Sequence, residues 1–249
     1  MSLLSLSGVG HAYLGRTVLE DITLSIAPGE LVALVGPSGC GKSTLAHVAA
    51  GLLVPRTGQI ARSYNRHAMI FQEPRLMPWA TAAQNIGFAL RLTGLPRNQR
   101  KARITEAAER VALEKDDLRK YPSELSGGMK QRVAIARALS VRPDFIFFDE
   151  PFTALDVALR RRMQDLVIRI CADDQVSGLF ITHDLFEAAR LADRIAVLDT
   201  KGQGLPGERR PPGAPQDRSD RAMFDWVQSA MQSDPLFRHI HDVDERRLA

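Results

Sequence analysis

Three short stretches hold residue types that could do chemistry on phosphate. Residues 36–44 read GPSGCGKST and match G-x-x-x-x-G-K-[ST]. Gly36, Pro37, Ser38, Gly39, Cys40 and Gly41 form a loop whose glycines let backbone N–H groups curl around phosphate oxygens. A helix start directly behind it adds partial positive charge. Lys42 is spaced to reach β- and γ-phosphates, Ser43 to place its hydroxyl on Mg²⁺, and Thr44 to help at the α-phosphate end. Residues 145–150, FIFFDE, end an apolar run in two carboxylates. Asp149 suits a magnesium ligand, and Glu150 a general base that polarises an attacking water. Residues 125–132, LSGGMKQR, set Ser126, Gly127, Gly128 and Met129 at a second helix start with basic residues behind. That is a second anion site in a chain that already has one.

The elements that must carry these residues follow from periodicity. ITLSI (22–26) and LVALV (31–35) read as strands around a Pro-Gly turn, the second apolar on both faces like a buried parallel strand. KSTLAHVAAGLL reads as a helix, AMIFQ (68–72) as a strand, and 81–142 as mostly helical. FIFFD, GLFIT (178–182) and RIAVLD are further strands, with helices at VALRRRMQDLVIRI (157–170) and DLFEAARLA. Strands alternating with helices predict an α/β fold with a parallel sheet, and strands of that kind present ligands at their carboxyl ends. The helical block is expected to be an inserted subdomain. Residues 202–218, rich in Gly, Pro and Arg, read as an irregular linker. Ser219 then caps an amphipathic helix with Met223, Trp226, Val227, Ala230 and Met231 on one face, packing on its own protein or on a partner.

The chain has 249 residues and a formal net charge of +4. Residues 91–142 hold 13 Lys or Arg against 6 Asp or Glu, whereas 143–200 hold 6 against 11. A nucleic-acid surface and solvated helix faces both fit the basic block; the alternation in RNQRKARITEAAER favours the helix, with i,i+4 pairs. No apolar run approaches the ~20 residues of a membrane span. The N-terminus lacks the basic start and long apolar core of a secretory signal, so a cytoplasmic chain is expected. Cys40 and Cys171 form no spacing pattern and predict no disulfide.

The order of the phosphate loop, LSGGMKQR, FIFFDEP, ALD and ITHD over residues 3–200 resembles the ATP-binding cassette of ABC transporters. The resemblance implies a P-loop NTPase cassette with a parallel core sheet, an N-terminal antiparallel β region and an inserted α-helical subdomain. The cassette would span 1–205, with the insertion at about 76–142, and 206–249 would be linker and short helical tail. It also implies roles. Tyr13 matches the aromatic that stacks on adenine, the alternative being a core tyrosine. Gln72 matches the glutamine that touches Mg²⁺ or the attacking water and senses a membrane partner. Asp156 matches the aspartate of dimer communication, and His183 the switch histidine at the γ-phosphate. Ser126, Gly127, Gly128 and Met129 match the signature that contacts ATP held by the other subunit, so a homodimer forms on ATP binding.

Two departures point to a subgroup. Position 129 is methionine where glutamine is common, and only 30 residues separate Lys42 from Gln72. Both features, and the LPW-like RLMPWATAAQNI, are similar to cassettes of nitrate, sulfonate and taurine importers. Leu76, Met77 and Trp79 there fit either local core or a groove for a permease helix. The resemblance thus implies an ATP- and Mg²⁺-dependent ATPase subunit on the cytoplasmic face of the bacterial inner membrane. It would serve an integral-membrane permease and, indirectly, an extracytoplasmic solute-binding protein, with no nucleic-acid partner. The cargo would be of the nitrate, sulfonate, taurine or thiamine-precursor type. A soluble ABC-type ATPase acting on nucleic acid or ribosomes has only the basic block in its favour. An ABC efflux ATPase is opposed by the LPW-like loop and the methionine.

Overall fold

The computed structural model describes residues 2–153 and 155–237. In chain order the elements are β1 (Leu4–Tyr13), β2 (Arg16–Ile26), β3 (Leu31–Val35), α1 (Lys42–Ala50), β4 (Thr57–Arg62), β5 (His67–Ile70), α2 (Ala82–Phe88) and α3 (Arg97–Arg110). Then come α4 (Gly127–Ser140), β6 (Phe145–Asp149), α5 (Val157–Asp173), β7 (Ser177–Ile181), α6 (Leu185–Leu191), β8 (Arg194–Val197), β9 (Gly207–Arg209) and α7 (Asp220–Ser233). Two compact units divide the chain. One takes the residues up to Tyr64 and from Ile170 onward, the other Asn65–Arg169.

In the first unit β3 runs parallel between β7 and β8, with Leu34 opposite Ile181 on one side and Ala196 on the other. All five residues of LVALV are buried, as expected of a strand with neighbours on both edges and covered faces. β1 lies antiparallel between β2 and β4. Its opening LSLS alternates, but register shifts between Leu6 and Val9 break the period of two. The stretch 202–218 is less irregular than its composition predicts, because it contains β9, antiparallel to β8. Three residues are too few to show a period.

Helix α7 settles against its own unit. The Ser219 hydroxyl accepts the Ala222 N–H at 3.2 Å, a cap at the expected residue. Met223, Val227 and Ala230 are buried with Leu185, Ala188 and Ala189 of α6, and Trp226 and Met231 pack half-buried on the same cluster.

Arg194 ties three pieces of this unit together. Its Nε and Nη2 donate to the two Glu30 carboxylate oxygens at 2.9 and 3.1 Å, Nη1 donates to Glu208 of β9, and Nη2 also donates to the Ser25 carbonyl. Burial pushes the Glu30 carboxyl upward, but hydrogen bonds from Arg194 and the Ala27 N–H, with the charges of Arg194 and Arg210, hold it below its ordinary value. A depressed folded value means the stabilisation is full above the ordinary carboxylate range and is lost as pH falls through the lowered one. Arg194→Met leaves the half-buried Glu30 with only the Ala27 N–H and the longer contact to Arg210, and is expected to cost about 1–3 kcal/mol. Urea melts at pH 7 check this, and the difference between variant and parent should shrink as pH is lowered toward 3. An unchanged midpoint at pH 7 would contradict the role.

In the second unit β5 pairs parallel with β6, Ala68 opposite Ile146. Thr81 and Gln84 form a reciprocal capping box at the start of α2, and α2 and α3 pack on α4. RNQRKARITEAAER forms α3, with Ala107 and Ala108 buried and most of its charges in solvent. On this helix Arg103 pairs with Glu106 at 3.5 Å, three residues apart, and Glu106 also meets Arg142 at 3.0 Å. Among the described residues no helix is long and apolar enough to cross a membrane.

Candidate functional site

The first unit carries the phosphate loop, Tyr13 and His183. The loop leaves β3 at Gly36 and enters α1 through Gly41, whose φ of 111° lies in the region that favours glycine. A Cβ there would sit 2.9 Å from Leu19 Cδ2 and 3.1 Å from the Val18 carbonyl, so both space and dihedral demand glycine. No side chain caps α1. A helix N-terminus of this kind carries partial positive charge and suits a phosphate. Lys42 is buried, and Nζ lies over the loop, donating to the Gly36 and Pro37 carbonyls at 2.8 and 2.7 Å. An ammonium has three donors, so the same position can add an anionic oxygen. Pro37 is buried, Ser38, Gly39 and Ser43 are exposed, and Thr44 is half-buried. Cys40 is buried 4.0 Å from Lys42 Nζ, and burial pushes its thiol up despite that positive charge, so it stays protonated and unreactive. Both cysteines are free.

Tyr13 ends β1 with 45% of its surface exposed, its ring 4.8 Å from that of His11 in a T-shaped contact. The core alternative is therefore excluded. His183 is exposed just after β7, and the neighbouring Asp184 caps α6 by accepting the Phe186 and Glu187 N–H groups.

The second unit carries the carboxylates, the glutamine and the signature. Asp149 closes β6 and is buried. Glu150 follows with φ 45°, a left-handed conformation that costs a side-chain-bearing residue on the order of 1–2 kcal/mol. Leu14, Asp21, Arg75, Ala112, Arg142 and Gln175 share this region, so the dihedral alone does not single out Glu150. Gln72 is exposed. The segment around it is fastened to α4: Gln131 Nε2 donates to the Phe71 carbonyl at 3.2 Å, and the Arg137 guanidinium donates to the Pro74 and Arg75 carbonyls at 2.9 Å each. Sequence reasoning passed over Gln131 and Arg137. The available signal was a glutamine in register with buried Ala134 and Ala138 on an apolar stripe.

Ser126 caps α4, its hydroxyl accepting the Met129 N–H at 3.3 Å, and it remains exposed with its O–H as a donor. The two glycines behind it differ. A Cβ at Gly128 would lie 2.7 Å from Leu159 Cδ2, so this glycine lets α4 approach α5. At Gly127 a Cβ would meet nothing within 4 Å, and its dihedral is ordinary. Asp156, exposed, accepts the Leu159 N–H at 2.8 Å and caps α5.

The loop at 76–79 is shaped by Asn85, missed in the sequence and wholly buried. Its Oδ1 accepts the Met77 N–H at 2.8 Å while Nδ2 donates to the Met77, Ala80 and Thr81 carbonyls. Trp79 is left 75% exposed, with Leu76 and Met77 half-buried, so the tryptophan is not local core.

The chain has clear relatives. A family model described as ABC transporter matches residues 19–153. The aliphatic sulfonates import ATP-binding protein SsuB 2 of Pseudomonas syringae pv. tomato is 43% identical, over 84% of this chain and 88% of that protein. The taurine import ATP-binding protein TauB of Chromobacterium violaceum is 37% identical, over 95% of this chain and 92% of its own. An ATP-binding cassette solved as a dimer in a post-hydrolysis state with ADP and Pi superposes with a TM-score of 0.77 at 28% identity, covering 84% of this chain and 99% of that one.

Proposed function

The chain belongs to the ABC transporter family, as the ATP-binding and hydrolysing subunit of an importer for a small solute, and on that premise we propose that its cargo is an organic sulfonate. The observation that carries the cargo is that relatives similar over most of their length are named for aliphatic sulfonates and for taurine, itself an aminosulfonate. The subunit works at the cytoplasmic face of the membrane beside a separate permease, fed by a solute-binding protein outside. The exposed Trp79, with Leu76 and Met77, is the surface offered to the permease.

For the nucleotide, Tyr13 stacks on the base, and the amides of residues 36–44 with Lys42 bind the phosphates. Ser43, Gln72 and Asp149 are the residues that would hold magnesium, and the ion when bound would supply positive charge to the phosphates. Glu150 takes the proton of the attacking water, and His183 contacts the γ-phosphate. Ser126 and Gly127 serve an ATP bound by a second copy of the chain, and Asp156 reports across that interface. Support for the reading in trans is Gly127, a glycine for which its own chain gives no steric reason. The dimeric state of the similar solved cassette agrees with it.

Proteoliposomes holding this chain with its permease and binding protein test the cargo. ATP-driven accumulation of ethanesulfonate is the expected result. Accumulation of nitrate without sulfonate overturns the cargo, and outward movement overturns import.

A further inference from the structure

The second unit contains a cavity of about 200 Å³ lined by four arginines, Arg110, Arg132, Arg162 and Arg169, against one carboxylate, Asp165. Arg110 ends α3 and Arg132 lies on α4, while Arg162 and Arg169 are on α5. Leu159, Arg162, Met163, Leu166 and Arg169 recur at spacings of three and four, so one face of α5 supplies an apolar floor flanked by charge. Arg132 donates from Nη1 to the Ala112 carbonyl, but its Nε is buried without a hydrogen-bond partner. Arg162 and Arg169 make no hydrogen bond or ion pair among the described residues.

Like charges gathered around a low-dielectric floor raise one another's energy, and an anion reverses the sign of that interaction. Guanidinium forks match a carboxylate or sulfonate head with paired hydrogen bonds. Leu159, Met163 and Leu166 offer nothing to a fully hydrated ion but suit a short alkyl chain. We propose that this cavity is a binding site for a short-chain alkyl anion, the head on the arginines and the chain on the face of α5. It shares no residue with the phosphate loop and does not depend on which solute is transported.

Calorimetric titration of the full chain with butane-1-sulfonate tests the site. One saturable event is expected, retained in Lys42→Ala and weakened at least tenfold in Arg162→Gln/Arg169→Gln. The two arginines are exposed, so this double variant should melt like the parent. Neutral butan-1-ol should not bind. Absence of saturable binding, equal affinity in the double variant, loss in Lys42→Ala, or equal binding of inorganic sulfate would each overturn the proposal.

Discussion

Glu150→Gln is expected to slow ATP hydrolysis about 10²–10⁴-fold while ATP binding is kept. The amide has the size of the carboxylate but cannot take a proton from water, so only the step that needs a base is lost. Glu150 occupies a left-handed backbone conformation that glutamine tolerates no better and no worse. The fold should therefore be indifferent to the change, and a parental melting temperature is the control. Because binding persists and turnover does not, the variant should accumulate as an ATP-bound dimer on size exclusion. Glu150→Gly separates strain from chemistry: glycine accepts the positive φ, so stability should hold or rise while hydrolysis is still lost. Single-turnover rates with saturating ATP and Mg²⁺ decide the matter. A parental rate in Glu150→Gln would remove Glu150 as the base.

The structure explains which parts of the molecule could be read from letters alone. LVALV and FIFFD were legible because full burial of a five-residue strand leaves an unbroken apolar run. The helix at VALRRRMQDLVIRI was legible because Met163, Leu166, Val167 and Ile170 are buried at helical spacing. β1 was hidden because its register shifts destroy alternation, and β9 because three residues carry no period. The phosphate loop announced itself because its glycines, lysine and helix start lie within nine consecutive residues, although Gly36 and Gly41 are also held by contacts from Leu198, Val18 and Leu19. Asn85, Gln131 and Arg137 did not. Gln131 and Arg137 hold the backbone of a loop some sixty positions away, and Asn85 holds the turn four to eight residues before it; the letters alone do not show which carbonyls such side chains will meet. The strain at Glu150 was equally invisible, since a dihedral is imposed by the packed surroundings and not by the residue.

Two adjacent glycines in LSGGMKQR offer the sharpest test of shared ATP sites, because they should fail in different ways. Gly127→Val adds a side chain into space that its own chain leaves open, so the melting temperature and ATP binding by a single chain should stay parental. The same side chain would stand where a phosphate of the partner's ATP must approach. Each charge-assisted hydrogen bond lost is worth about 1.5–3 kcal/mol, and a symmetric dimer loses one at each of two sites. ATP-driven dimerisation should then weaken about 10²–10⁴-fold, read by analytical ultracentrifugation of the chain in the Glu150→Gln background. Gly128→Ala instead drives a methyl against Leu159, and overpacking of this kind costs about 1–3 kcal/mol. That cost should be relieved by Leu159→Ala, whereas the defect of Gly127→Val should be untouched by it. If Gly127→Val dimerises like the parent, the second anion site faces no partner. If it fails to bind ATP as a single chain, the site acts in cis. Only normal binding with lost dimerisation fits a helix start whose glycine is required by a different molecule.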